Sequence, residues 1–207
     1  MQSSQINNCS DPRDKQRELM KIRESGMPVE SVWEKFFDVS RIFSELEVEK
    51  DIKKLVDFGA GYGTFSIPAG KVIKGEVLSY EIEPNLIADL KSKIKEENQN
   101  NIELVHRDFI ESGSGLPNDH VDYVFLFNIL HASESEYLLE ETRRILKYGG
   151  KVGVIHWNYD SSTPRGPSMK IRPKAEDLEV MLQKKGFTIL RNKIDLPPYH
   201  YGILAKK

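Results

Sequence analysis

Three glycines and three acids carry the first chemistry visible in the sequence. Gly59, Gly61 and Gly63 fall in the stretch VDFGAGYG, residues 56–63, with Ala60 between the first two. Glycine lets the backbone turn sharply and approach a ligand with no side chain in the way. The stretch therefore suits a nucleotide-type ligand, with a plain tight turn as the alternative. Glu81, followed by Ile82, can accept both hydroxyls of a ribose in a charge-assisted, bidentate contact; otherwise it is a solvated acid at a helix start. Asp108 can accept from an adenine amino group with the Phe109 amide and ring alongside, or else it is a surface-turn aspartate. The dinucleotide pattern G-x-G-x-x-G/A fits poorly, because the sixth position from Gly59 is Thr64 and position 66 is Ser66. Asp57, just before the loop, would repel a pyrophosphate and attract an amino group. The site prefers a ligand that bears a cation.

Such residues need strand tips to hold them. Short apolar, β-branched runs at residues 55–58, 77–80, 102–105, 121–127 and 152–155 alternate with helical patterns from about residue 50 onward. Pro84 opens one helix, with Leu86, Ile87, Leu90 and Ile94 on a single face. Ser133 and Glu136 have capping-box spacing ahead of a helix carrying Leu138, Leu139, Thr142, Ile145 and Leu146, which Gly149 and Gly150 stop. Pro173 opens another, with Leu178, Met181 and Leu182 inward and Gly186 at its end. Strand and helix in repeated alternation predict an α/β fold with a doubly wound, mostly parallel sheet. Runs at 187–194 and 201–205 are too close for a parallel crossover, so they predict an antiparallel hairpin at the sheet's end. Val29, Val32, Trp33, Phe36, Val39 and Phe43 keep helical spacing behind Pro28, which predicts an N-terminal helix packed on the core. Residues 1–49 then form an N-terminal extension and 50–207 the ligand-binding domain, with 1–12 expected to be disordered.

Composition narrows the partners. The 207 residues carry 30 basic and 32 acidic side chains, a formal net charge of -2, and a pI near 6.2. No global field draws nucleic acid or an anionic membrane. No apolar run approaches the roughly 18 residues of a spanning helix, and the polar N-terminus lacks a signal-peptide core, so the expected address is cytoplasmic. The only cysteine, Cys9, lies in that polar leader. A disulfide framework, a thiolate metal site and a buried cysteine nucleophile are therefore not expected.

Over roughly residues 50–207 the chain resembles the class I S-adenosylmethionine-dependent methyltransferases. The resemblance rests on VDFGAGYG, the acidic strand end YEIEPN, the RDF segment from Arg107, the strand DYVFLFNILH and the turn KYGGKV. It implies a Rossmann-like, seven-stranded sheet ending in an antiparallel hairpin, and S-adenosyl-L-methionine as cofactor. Asp57 would then serve the methionine amino group, and Gly59, Ala60, Gly61 and Gly63 would pass under the cofactor. Glu81 with Ile82 would hold the ribose, and Asp108 with Phe109 the adenine. The implied reaction is in-line methyl transfer, in which the protein mainly aligns the nucleophile and excludes water.

On the substrate side the same resemblance singles out several residues. His131, at the end of the fourth strand, can remove a proton from an oxygen or nitrogen nucleophile, or else bonds locally and shapes the pocket. Asn128 can contact the methionine part or cap the loop. His156 and Trp157 lead into a long loop, in which Arg165, Lys170, Arg172 and Lys174 stand without an acid between Thr163 and Lys174. Trp157, Arg165 and Arg172 are the candidate substrate contacts, the arginines for an anionic group; the alternative is a solvated basic loop. Trp33, Phe36 and Phe37 can close over a sulfonium as a lid or simply pack in the core.

The DNA amino-methylating members carry an acid or asparagine before Pro-Pro-aromatic after the fourth strand, whereas Pro197, Pro198 and Tyr199 lie in the late hairpin. A small-molecule acceptor is the favoured partner, with no DNA and no membrane. Protein or RNA acceptors are less favoured. A nicotinamide-dependent oxidoreductase and a non-catalytic, methyltransferase-like binding module are the competing readings, and nothing in the sequence marks an oligomeric state.

Overall fold

A computed structural model describes residues 27–131 and 135–207. Cys9, the expected disorder at 1–12 and the capping residue Ser133 lie outside the described residues.

The five early runs form β1 (Lys54–Phe58), β2 (Glu76–Glu81), β3 (Ile102–His106), β4 (Val121–Phe127) and β5 (Leu146–Trp157). Two later strands, β6 (Thr188–Leu196) and β7 (His200–Lys206), complete one seven-stranded sheet in the order β3-β2-β1-β4-β5-β7-β6. The first five strands pair in parallel, and β7 runs antiparallel to both of its neighbours, β5 and β6. The doubly wound sheet and its terminal hairpin are as the sequence predicts. Strands buried on both faces read as continuous apolar runs, which is why they were visible.

Each face of the sheet has its own core. Val56, Phe58, Val124, Leu126 and Val154 point to one, beneath the helices Ser135–Ile145 and Ala175–Lys184. Leu55, Phe125, Phe127, Ile155 and Trp157 point to the other, beneath the N-terminal segment. In chain order the helices are α1 (Glu30–Trp33), α2 (Val39–Glu45), α3 (Ser66–Val72), α4 (Pro84–Glu96), α5 (Phe109–Ser112), α6 (Ser135–Ile145) and α7 (Ala175–Lys184).

Two local expectations are corrected. The single N-terminal helix is broken: α1 passes into a 3-10 turn at Glu34–Phe36, and Phe37 is extended and bridges Pro198. Asp38 then accepts a hydrogen bond from the Arg41 amide and starts α2 afresh. Val29 and Val32 remain exposed, while Phe36, Phe37, Ile42 and Phe43 are buried. Leu146, expected at the end of a helix, opens β5 opposite Val121, and the ladder resumes only at Tyr123 and Lys151. The glycines at 149 and 150 thus sit in an irregularity of β5 rather than in a simple helix stop.

The connection that leads from β3 back to β4 is pinned by one buried acid. Glu141 on α6 accepts from the Ser114 amide (2.7 Å) and hydroxyl (2.5 Å) and from Arg144. The Tyr80 hydroxyl donates to the Ser114 carbonyl at 2.8 Å. Burial pushes the Glu141 carboxyl up, but the hydrogen bonds from Arg144 and Ser114 outweigh it and bring it down to about 2. A depressed acid stabilises the fold above its unfolded value and loses that contribution as pH falls toward the folded one. Glu141→Gln should therefore cost about 2 kcal/mol at pH 7, a melting-point loss of roughly 4–8 °C. Thermal melts should show the gap to the parent protein narrowing between pH 5 and pH 2.5, and a gap independent of pH would refute this account.

Candidate active site

The glycine loop turns because its backbone is tied at both ends. The amides of Gly59 and Ala60 both donate to the Tyr80 carbonyl at 2.9 Å, and the Gly63 amide donates to the Ala60 carbonyl at 2.9 Å. Gly63 has φ +81, and a Cβ there would lie 2.4 Å from Leu90 Cδ1, so α4 requires the bare backbone. Gly61 has φ +55 and faces Met27, whose Cε would lie 2.9 Å from an added Cβ.

The N-terminal segment is latched onto this loop. The Tyr62 hydroxyl donates to the Pro28 carbonyl at 3.2 Å, and Lys93 on α4 bridges Glu30 and the Tyr62 carbonyl. The aromatic residues behind it pack on one another. Phe37 stacks on His200 (ring centroids 4.5 Å apart) and meets Phe65 edge-on at 5.1 Å.

The three acids sit at strand tips with different duties. Asp57 is 2% exposed and accepts the Ser66 hydroxyl at 2.5 Å, with Ser79 donating to Ser66 in turn. Burial raises its carboxyl to about 7, the Ser66 bond opposing and the nearby Glu81 reinforcing that rise. Glu81 is turned onto backbone: Oε2 accepts from Gly61 (2.8 Å), and Oε1 from Ile82 (2.7 Å) and Glu83 (2.9 Å). No lysine or arginine among the described residues forms an ion pair with either acid. Asp108 caps α5, accepting from Ile110 and Glu111, and the Phe109 ring packs on Phe58 at 4.7 Å.

Beyond β4 lies a second polar group. Asn128 adopts φ +58, a strained choice for a residue with a side chain. Its amide donates to the Ile155 carbonyl at 2.8 Å, yet both polar atoms of its side chain are enclosed without a hydrogen-bond partner. His131 follows three residues on, its Nδ1 likewise enclosed. Burial lowers its titration, partly offset by the Asn128 backbone.

The sequence did not single out His156, which ends up 0% exposed inside β5 with both ring nitrogens lacking hydrogen bonds. Its only sequence signal is a histidine in an otherwise apolar strand.

Two expected substrate contacts are corrected. Arg172 is 7% exposed and its guanidinium is spent on its own loop. Nε donates to the Pro167 carbonyl, Nη1 to the carbonyls of Asn158 and Asp160 and the Thr163 hydroxyl, and Nη2 to the carbonyls of Arg165 and Pro167. All three nitrogens are engaged, which leaves no fork for an anion. Trp157 ends β5 at 2% exposure, covered by Phe36 and Tyr199 and by Gly166, where a Cβ would come within 2.7 Å of the indole. It supports the loop instead of facing a ligand. Arg165 keeps an exposed side chain.

The glycine loop and the acids thus line the carboxyl ends of β1, β2 and β3, with Asn128 and His131 beyond β4. Residues 55–150 match the family model described as a methyltransferase domain. Over that stretch, a little under half of its length, the chain is similar to a methyltransferase domain.

A demethylmenaquinone methyltransferase of Listeria welshimeri is 29% identical over 119 residues, 56% of this chain and 48% of that protein. The chain thus spans about half the length of the curated relatives it matches. The crystal structure of a SAM-dependent methyltransferase from Aquifex aeolicus superposes with a TM-score of 0.75 at 21% identity, covering 91% of this chain and 96% of that one. The [4+2]-cyclase SpnF shares the fold as well, at a TM-score of 0.68 and 16% identity over 82% of this chain and 79% of that one. Class I methyltransferase architecture alone therefore does not fix the reaction. Among the described residues, no helix is long and apolar enough to cross a membrane, and no group of three or more His, Cys, Asp or Glu side chains is placed to hold a metal ion.

Two outcomes follow for this candidate site. A raised acid binds its proton more tightly in the folded chain, so its contribution to stability is present below the unfolded value of 3.8 and is lost as pH climbs toward about 7. Asp57→Asn keeps an acceptor for Ser66 without that loss, so its melting temperature should gain on the parent's between pH 5 and pH 8. An unchanged difference across that range would contradict burial as the cause. Arg172→Met should leave the sheet intact but loosen the loop, and trypsin should cut after Arg165 or Lys170 at least ten times faster than in the parent chain.

Proposed function

We propose that the chain binds S-adenosylmethionine across the tips of β1, β2 and β3 and transfers its methyl group to a small-molecule acceptor beyond β4. The observation that carries this reading is a pair of neighbouring buried acids, Asp57 and Glu81, without a cation of their own beside a glycine loop. A ligand with an ammonium and a sulfonium supplies the missing positive charge, whereas a pyrophosphate would add a third negative group. That argues against the nicotinamide alternative.

The residues present fit the cofactor. Oε1 of Glu81 already accepts two amides and Oε2 one, so Oε2 keeps room for one ribose hydroxyl. Asp57, with Ser66 behind it, would take the amino group, and the unsatisfied Asn128 amide stands ready for the methionine end. Asp108 and Phe109 would flank the adenine. The cofactor supplies an electrophilic methyl on an excellent leaving group, so the chain's task is to align the acceptor and exclude water. Met27, Pro28 and Glu30, held over the glycine loop by Tyr62 and Lys93, serve that exclusion as a lid.

A second reading, cofactor binding without methyl transfer, is kept in view by the likeness to a cyclase. Calorimetry should show S-adenosylhomocysteine binding in the micromolar range and no heat with NAD. Glu81→Gln should weaken that affinity at least tenfold, because the loop and the ribose lose the same charge-assisted acceptor. Labelled methyl recovered in a metabolite from a cell extract would separate turnover from binding alone; NAD binding in place of S-adenosylhomocysteine would end the proposal.

A further inference from the structure

Two enclosed carboxyls at the tips of β1 and β2 share one neighbourhood, and the fold treats them unequally. Asp57 and Glu81 are 2% and 6% exposed, and no cation among the described residues pairs with either. Three backbone amides donate to Glu81. Asp57 accepts from the Ser66 hydroxyl alone, which in turn accepts from Ser79. Donors to the charged form favour it, and two neighbouring carboxylates away from water resist being charged together. The negative charge of the pair therefore settles on Glu81 and a proton on Asp57.

The other groups around Asp57 leave that division intact. In register, β2 sets Ser79 on one side of it and β4 sets Phe125 on the other. Tyr123 on β4 spends its hydroxyl on the Leu46 carbonyl, and Tyr62 in the glycine loop spends its own on Pro28. Lys71, the one charged residue of α3, is paired with Glu97, and Lys93 is paired with Glu30 at the lid. Past the end of β4, burial holds His131 toward its neutral form. Burial is also the main cause of the rise of the Asp57 carboxyl to about 7, with Ser66 opposing and Glu81 adding to it.

Resting on the cofactor reading above, we propose that Asp57 exchanges its proton for the ammonium of the cofactor's methionine end, so that binding releases a proton and tightens as pH rises. In the exchange the carboxyl O–H bond breaks, its electron pair stays on oxygen, and the proton passes to water or buffer. The ammonium keeps its own protons and donates to the carboxylate left behind. Below the pH at which free Asp57 ionises, each unit of acid costs up to about tenfold in affinity; above it nothing is lost. A ligand with the adenosine part but no ammonium cannot drive the exchange. Ser66 is the positioning residue that sets the pH of the change, because its hydroxyl donates to the charged form.

The test is calorimetry on the full chain, in buffers with different heats of ionisation so that released protons are counted. S-adenosylhomocysteine is the probe, and 5′-methylthioadenosine is its counterpart without the amino acid part. S-adenosylhomocysteine should release about one proton at pH 6 and almost none at pH 8, and its affinity should rise at least tenfold from pH 5 to pH 7 before levelling off. Methylthioadenosine should release none and change less than twofold over that range. Asp57→Asn should flatten the S-adenosylhomocysteine curve near the parent's value at pH 5. Ser66→Ala should keep the curve's shape and move its bend to higher pH by about one unit.

S-adenosylhomocysteine affinity that is flat with pH, methylthioadenosine that follows the same slope, or a slope that survives Asp57→Asn and so belongs to another group such as His131 each overturns the proposal. If the asparagine variant does not fold, the proton count and the comparison of the two ligands in the parent chain decide it. Failure to bind S-adenosylhomocysteine at any pH would instead strike the cofactor reading.

Discussion

One buried carboxylate joins the two halves of the ligand edge. Glu81 reaches from the tip of β2 to the amide of Gly61 in the β1 loop and at the same time holds the amides that begin the next connection. Hydrogen bonds to a charged group contribute about 1.5–3 kcal/mol each when enclosed, so this acid sets the height and tilt of the loop. The same oxygens are those a ribose would address. Under the proposed cofactor reading, loop shape and ribose recognition would share this carboxylate, and a change at Glu81 would alter both.

The edge is held in a state that the fold alone would not favour. Asp57 is enclosed with only a serine for company, and Asn128 takes a backbone conformation that suits glycine better. Strain and unsatisfied polarity of this kind persist where the surroundings over-determine them, most often at functional sites. The surroundings here are stiff: β4 is enclosed on both faces, and Phe125 and Phe127 stack at 4.4 Å beneath the N-terminal segment.

Much of this was legible in the sequence, for physical reasons. Residues 121–127 are apolar on both faces, which only a central strand requires, and the six residues between the runs at 187–194 and 201–205 are too few for anything but an antiparallel return. The placing of the glycines and acids at strand tips was legible from residue type and position. The N-terminal break was not legible, because Phe37 leaves the helix to bridge Pro198, a partner remote in sequence. Leu146 is apolar in either a helix or a strand, so its side of the boundary was undetermined. Arg172 misled most: its partners are carbonyls of an irregular loop, and no spacing of side chains reveals where a loop's carbonyls will point.

The position of β7 has a bearing on how the molecule is made. This strand lies between β5 and β6, although both precede it in the chain. A ribosome delivers β1 to β6 first, and throughout that interval the open flank of β5 is an apolar edge with unpaired amides and carbonyls, the kind that recruits stray strands. Synthesis therefore passes through a vulnerable stage that ends only when the residues around Ile203 emerge and slot home.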